Sequence, residues 1–232
     1  MWNGKLKAVT FSFDDGVTQD KRLIKLLNKY NLKATFNLNS SLLGLPGSLN
    51  INGKAISHDK VSPEGIKEIY CGHEIAVHTL THPNLTQHDQ PTIIHQVEMD
   101  RKALSDLFGY EVVGMAYPCG GPNNDDRVAE IIKNKTGVKY ARTISTNGKF
   151  DLQENYFRFN PTAHVTANNL ESIVEEFIAL KTNTPKILYI WGHSYEFDIE
   201  EGAWEKLERI LSRLSNKADI FYGMNKEVLL DK

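Results

Sequence analysis

The chain has 232 residues, 41% hydrophobic and 24% charged, the make-up of an ordinary globular protein with enough length to bury a sizeable core as a single domain over 1–232. Its formal net charge of -2 supplies no strong overall field for nucleic acid or an anionic membrane. No apolar run approaches the roughly 20 residues that span a bilayer, and two cysteines, Cys71 and Cys119, are too few for a disulfide framework. The start Met1-Trp2-Asn3-Gly4-Lys5 carries no apolar leader, so the sequence as written reads as cytoplasmic, or as secreted if a leader has been trimmed.

In chain order, Lys7 to Phe13 is an apolar, β-branched run that stops at Asp14-Asp15-Gly16, which reads as a strand ending in a turn. A helix follows from Thr18 to Tyr30, with Leu23, Ile24, Leu26 and Leu27 on one face and Thr18 as its cap. The alternation continues through strand Ala34 to Leu38, helix Pro63 to Tyr70 behind Ser62, strand Glu74 to Val77 and helix Thr92 to Phe108. Further strands are expected at Val112 to Tyr117, Lys139 to Thr143, Tyr156 to Asn160, Ile187 to Trp191 and Asp219 to Tyr222. Helices are expected over Asp125 to Lys135, Leu170 to Lys181 and Ala203 to Leu214. The stretch Asn39 to Lys60, with a hairpin turn at Asn52-Gly53, reads as an excursion over the mouth of the fold. Alternating strands and helices predict an α/β fold with a parallel sheet closed or nearly closed into a barrel, an open doubly wound sheet being the alternative.

Polar residues cluster where these strands end: Asp14 and Asp15, His78, Tyr117-Pro118-Cys119-Gly120, and Trp191-Gly192-His193. His78 and His82, four residues apart, can aim two imidazoles at one point, and with a carboxylate they suit a divalent ion. Paired histidines at this spacing are by themselves more often chance, and Asp14-Asp15 by itself is more often an Asx turn. Together they read differently. Adjacent carboxylates repel unless a cation separates their roles, so Asp15 as ligand leaves Asp14 free as general base.

Ser12-Phe13-Asp14-Asp15-Gly16 with His78-Thr79-Leu80-Thr81-His82-Pro83 resembles the polysaccharide deacetylase family, also called the NodB-homology or carbohydrate esterase family 4 fold. The resemblance implies a distorted (β/α) barrel of about seven strands, a metal on Asp15, His78 and His82, Asp14 as base and His193 as the acid that protonates the leaving amine. Met115-Ala116-Tyr117-Pro118-Cys119-Gly120 resembles the third motif of that family, where the amide after the proline, here that of Cys119, helps to hold the oxyanion. Many members carry an arginine where Ala116 stands, and Arg142, at the end of the next strand, is the candidate to supply that guanidinium to Asp14.

No aspartate is evident to orient His193, and Asp151 is too weak a candidate to fill that place. Trp191, Tyr195 and Phe197 would form an apolar wall for an acetyl group or a sugar face, core packing being the rival reading of each. His164 is read either as a substrate contact or as a solvated loop residue, while His58, His73, His88 and His95 are read as surface or helix residues. The implied cofactor is one divalent metal, zinc first, with cobalt, nickel, manganese or iron as alternatives. The expected partner is an N-acetylated sugar polymer or oligosaccharide, and the expected reaction is release of acetate, with O-acetyl removal left open. The rivals are a hydrolase of the same fold acting on another amide or a ureide, and a carbohydrate-binding protein with a decayed site.

Overall fold

A computed structural model of the chain describes residues 1–231. In chain order its elements are β1 (Lys7–Asp14), α1 (Asp20–Lys29), β2 (Ala34–Leu38), β3 (Ser48–Ile51), β4 (Lys54–Ser57), α2 (Ile66–Ile69), β5 (Glu74–Val77), α3 (Gln90–Phe108), β6 (Gly114–Ala116) and α4 (Asp126–Lys135). They continue with β7 (Tyr140–Arg142), β8 (Ala163–His164), α5 (Leu170–Ala179), β9 (Lys186–Gly192), α6 (Ala203–Leu214), β10 (Ile220–Tyr222) and α7 (Asn225–Leu229). The main sheet runs β7-β6-β5-β2-β1-β9-β8 with every pairing parallel. β10 pairs with the first half of β1 at Lys7–Val9, while β2 takes the second half from Phe11 to Asp14.

β1 is buried along its whole length because both faces of a parallel sheet are covered. Its period of two sorts the side chains. Val9, Phe11 and Phe13 enter the large apolar core shared with α1, α3, α5 and α6. Ala8, Thr10, Ser12 and Asp14 point to the concave side, and neighbouring strands continue that side with Thr35, Asn37, Glu74 and Arg142. The lower layer is sealed by α7. The Asn225 side chain donates to the Tyr189 hydroxyl at 2.6 Å and accepts from the Thr10 hydroxyl at 2.7 Å, and the Lys226 amide donates to Glu74 at 2.9 Å. The upper layer holds the polar groups at the strand C-terminal ends.

The sheet is a curled half-barrel of seven strands, with β10 set beside it, rather than a closed ring. Between β7 and β8 the chain crosses as irregular backbone: Phe159 bridges Arg142, and the Thr162 amide donates to Tyr189 at 2.8 Å. The strand expected at Tyr156 to Asn160 is therefore absent. Asn155 accepts from the Phe157 amide and starts a 3-10 turn over Tyr156–Arg158, and Pro161 next along has no N–H for a ladder. Pairing resumes at β8. The helix expected over Pro63 to Tyr70 shrinks to α2 because Gly65 sits at φ 71°, and Ser62 caps the Glu64 amide of the preceding turn instead.

The Asn39–Lys60 excursion folds as expected into a hairpin of β3 and β4. Asn52 and Gly53 are both left-handed, at φ 53° and 81°, as a tight two-residue turn demands. No helix among the described residues is long and apolar enough to cross a membrane.

Candidate metal centre

Asp14, the last residue of β1, is fully buried on the concave side. The next residue turns sharply. Asp15 has φ 80°, which swings its carboxylate away from Asp14 and toward the loop after β5. In that loop Thr79 and His82 are also left-handed, at φ 69° and 61°, and Cys119 after β6 joins them at 71°. Left-handed backbone is costly for residues other than glycine, most of all for β-branched Thr79, and persists only where surroundings over-determine it. Here they do. The Asn39 side chain donates to the carbonyls of His78 and Thr79, at 2.5 and 2.8 Å, and the Thr79 hydroxyl accepts from the His82 amide at 3.1 Å.

Asp15, His78 and His82 bring one ligand atom each within 4.8 Å of one another. His82 Nε2 lies 3.5 Å and His78 Nε2 3.9 Å from the same oxygen, Asp15 Oδ1. These separations are close to the roughly 3.3 Å edge of a tetrahedron with bonds of about 2 Å to zinc. The outer nitrogens are engaged. His78 Nδ1 donates to the Ala116 carbonyl at 2.9 Å, and His82 Nδ1 faces the Cys119 sulfur at 3.7 Å, while the thiol donates to the His82 carbonyl at 3.3 Å. Both Nε2 atoms are thereby left as lone-pair donors facing Asp15, and burial pushes His78 down to about 4, so it stays neutral. The donor set fits a divalent ion.

Asp14 is gripped separately. One Nη of Arg142 lies 2.5 Å from both carboxylate oxygens, and Asn37 donates to Oδ1 at 2.8 Å. Burial alone would raise the Asp14 carboxyl, but Arg142, His78 and His193 outweigh it and hold it below its ordinary value. Arg142 is itself fully buried, donates to Ser12 at 3.1 Å and lies over the Trp191 ring at 4.5 Å. The guanidinium absent at Ala116 is thus delivered from β7.

His193, just after β9, has Nε2 3.9 Å from Asp15 Oδ2, and its Nδ1 is 3.3 Å from Glu196 Oε1. Burial would lower this imidazole, but Glu196, with Asp15 and Asp14, raises it to about 9, so it carries a proton at neutral pH. Glu196 thus stands at the outer nitrogen of His193, where the sequence offered no aspartate. Asp151 is far from this role, paired with Lys186 at 2.5 Å on the surface. His164 packs edge-on against Trp191, and its Nε2 is 3.4 Å from Glu196 Oε2. The Thr166 amide donates to His164 Nδ1 at 3.3 Å, which assigns the proton to Nε2 and aims it at Glu196. It is neither a free loop residue nor directed at Asp15.

The structure also corrects the reading of His58. That residue, carried by the excursion, places Nε2 3.0 Å from Asp15 Oδ2, and Lys60 donates to the Asp15 carbonyl at 2.9 Å. His73 is buried rather than exposed and accepts from the Ala34 amide at 3.2 Å. Tyr117 donates its hydroxyl to the Phe157 carbonyl, and Asn123 donates to the carbonyls of Tyr117, Pro118 and Cys119, which fixes that loop. The Cys119 amide finds no acceptor among the described residues. Phe197 packs at a tilt against Trp204 in the core, whereas Trp191 and Tyr195 line the mouth. That mouth is a cavity of about 510 Å³ above Asp14, Asp15 and the histidines.

A sequence model of the family described as polysaccharide deacetylase matches residues 3–141, more than half of the chain. Among curated proteins, the peptidoglycan-N-acetylglucosamine deacetylase PgdA of Listeria monocytogenes is 30% identical over 129 residues, which cover 54% of this chain and 24% of that protein. The chain therefore matches about a quarter of that relative's length. Among solved structures, the family 4 carbohydrate esterase from Streptomyces lividans aligns over 95% of this chain and 93% of its own, with a TM-score of 0.56 at 15% identity. The Streptococcus pyogenes deacetylase PplD aligns over 64% of this chain and 61% of its own, with a TM-score of 0.53 at 21% identity. At those identities the structural likeness speaks for the fold.

Proposed function

Starting from a chain that belongs to the polysaccharide deacetylase family, we propose that this protein is a metal-dependent hydrolase that removes N-acetyl groups from a carbohydrate, releasing acetate and a free amine. The observation that carries the reading is the division of labour between adjacent aspartates: Asp15 faces two imidazole Nε2 atoms, while Asp14 faces Arg142 and Asn37. One carboxylate is set for a cation and its neighbour for a proton.

Asp15, His78 and His82 would hold the ion. When bound, a divalent metal in such a site polarises a carbonyl and makes a water a better nucleophile near neutral pH. Asp14, ionised and held in place by Arg142, accepts the proton of the attacking water. The unengaged Cys119 amide, on a loop braced by Asn123, donates to the oxygen on which negative charge develops. His193, protonated and held by Glu196, gives its proton to the departing nitrogen as the carbon–nitrogen bond breaks. Trp191 and Tyr195 offer faces for the acetyl methyl and a sugar ring.

The test is acetate release from N-acetylated oligosaccharides, run beside metal analysis on the wild type and Asp14→Asn. The reading expects Asp14→Asn to keep its metal and lose activity. A metal-loaded wild type that releases no acetate from any acetylated sugar would overturn it.

A further inference from the structure

The mouth above Asp15 is walled on one side by a contact between two segments distant in sequence. The excursion, through β4 and the residues after it, meets the turn Ser194–Asp198 that follows β9. His58 lies edge-on to the Tyr195 ring at 5.1 Å. Lys54 Nζ donates to the carbonyls of Asp198 and Ile199 at 2.5 and 3.2 Å. Gln19 spans the same seam, donating to the Ser57 carbonyl at 2.9 Å and to Asp198 at 3.0 Å. Asp198 is pinned from behind by the Trp204 indole at 2.8 Å. The root of the excursion is fastened too: the Val61 amide donates to Gly16 and the Thr18 amide to Asp59.

This wall begins at the metal site itself, because His58 touches Asp15 directly. No sugar ring fits between them. The opposite side, at Cys119, Gly120 and Ile144, also lines the cavity, but no hydrogen bond among the described residues ties it to the excursion. The cavity of about 510 Å³ is in the size range of pockets that hold a small ligand.

We infer that the site is blind-ended, so that the ring presented to Asp15 is a chain terminus: the substrate class is a short N-acetylated oligosaccharide or a chain end, entering past Gly120, and not an internal ring of a long polymer. This rests on the deacetylase reading above. It adds that each chain loses one acetate whatever its length.

The zinc-loaded protein is given fully N-acetylated chito-oligosaccharides from dimer to hexamer, and mass spectrometry of end-labelled products locates the lost acetates. One acetate lost per chain, from the same terminal ring at every length, is expected. Acetates lost from internal rings of the hexamer at a rate within about tenfold of the terminal ring, a barrier below about 1.4 kcal/mol, overturn the inference. Absence of acetate release is the failure of the deacetylase reading and is told apart by binding. Of two hexamers each carrying a bulky cap on one end, the one capped at the entering terminus should not bind and the one capped at the opposite terminus should, while one capped at both ends should not; equal binding of the doubly capped and uncapped hexamers overturns the blind end. Gln19→Ala combined with Lys54→Ala opens the seam. That variant should gain internal deacetylation by about tenfold or more, and a product pattern identical to wild type overturns the seam as the barrier.

Discussion

Arg142 and Asp14 meet as a buried ion pair, one nitrogen of the guanidinium 2.5 Å from both carboxylate oxygens. They stand 128 positions apart in the chain, and the pairing exists because β7 and β1 present alternate side chains to the same concave face. The arginine reaches over Ser12 and under Trp191 to get there.

Arg142→Lys keeps the charge but cannot bond Asp14, Ser12 and the Thr143 carbonyl together. Steady-state kinetics should show kcat reduced by about tenfold or more, with metal content unchanged. Arg142→Met should also cost about 3–5 kcal/mol in urea unfolding, since it leaves Asp14 buried without its partner. Unaltered turnover in the lysine variant would remove Arg142 from the site.

Glu196→Gln withdraws the negative charge that raises His193 to about 9. A proton donor must be protonated to act, so activity should fall at high pH in both proteins, and the fall should begin at lower pH in the variant. The measurement is the pH profile of kcat, and superimposable basic limbs would show that Glu196 does not set the acid.

Glu74, buried under the site, is raised to about 7 from 4.5 by the loss of solvent around its charge, despite donors from Lys226, Thr35 and Tyr140. Its folded value exceeds its unfolded one, so the stability it contributes is full below about 4.5 and is lost as pH rises through about 7. Glu74→Gln mimics the protonated form and should lack this loss. Relative to wild type, the variant should gain up to about 3 kcal/mol between pH 4.5 and 8 in chemical unfolding; a pH-independent difference would contradict the raised value.

Chelation should abolish acetate release and lower the thermal midpoint, with both restored by zinc or cobalt, because an ion held by Asp15, His78 and His82 binds only the folded chain. His82→Ala should weaken the effect of added zinc on the midpoint. A midpoint indifferent to zinc in the wild type would speak against the site.

The residues on the strand ends were legible because their signals are local: Asp14-Asp15 breaks an apolar run, and His78 and His82 share one loop. Groups brought from elsewhere were not. His58 reaches Asp15 only because a hairpin folds back over the mouth, and nothing in its neighbours' periodicity marks it. Glu196 carried a faint signal, three residues after His193 in Ser194-Tyr195-Glu196-Phe197-Asp198, a spacing that returns a side chain to its starting point in a tight turn. The aromatic run Tyr156 to Asn160 has the composition of a strand, but Asn155 and Pro161 on either side of it impose a 3-10 turn and a break in the ladder. Closure of the sheet was beyond periodicity altogether, since it depends on whether the crossing from β7 to β8 keeps a ladder.

The central strand β1 has the order of synthesis built against it. Its flank from Lys7 to Val9 is completed by β10, and its other side by β9, both emerging from the ribosome long after β1 has left it. Until then the strand that ends in Asp14 has an open edge, its apolar side chains awaiting late-arriving neighbours. Contacts between such distant positions slow folding and prolong exposure. The ladder β1-β2-β5, whose ends carry Asp15, His78 and His82, is built from N-terminal strands alone and can register early, while the free side of β1 stays exposed until the C-terminal strands dock.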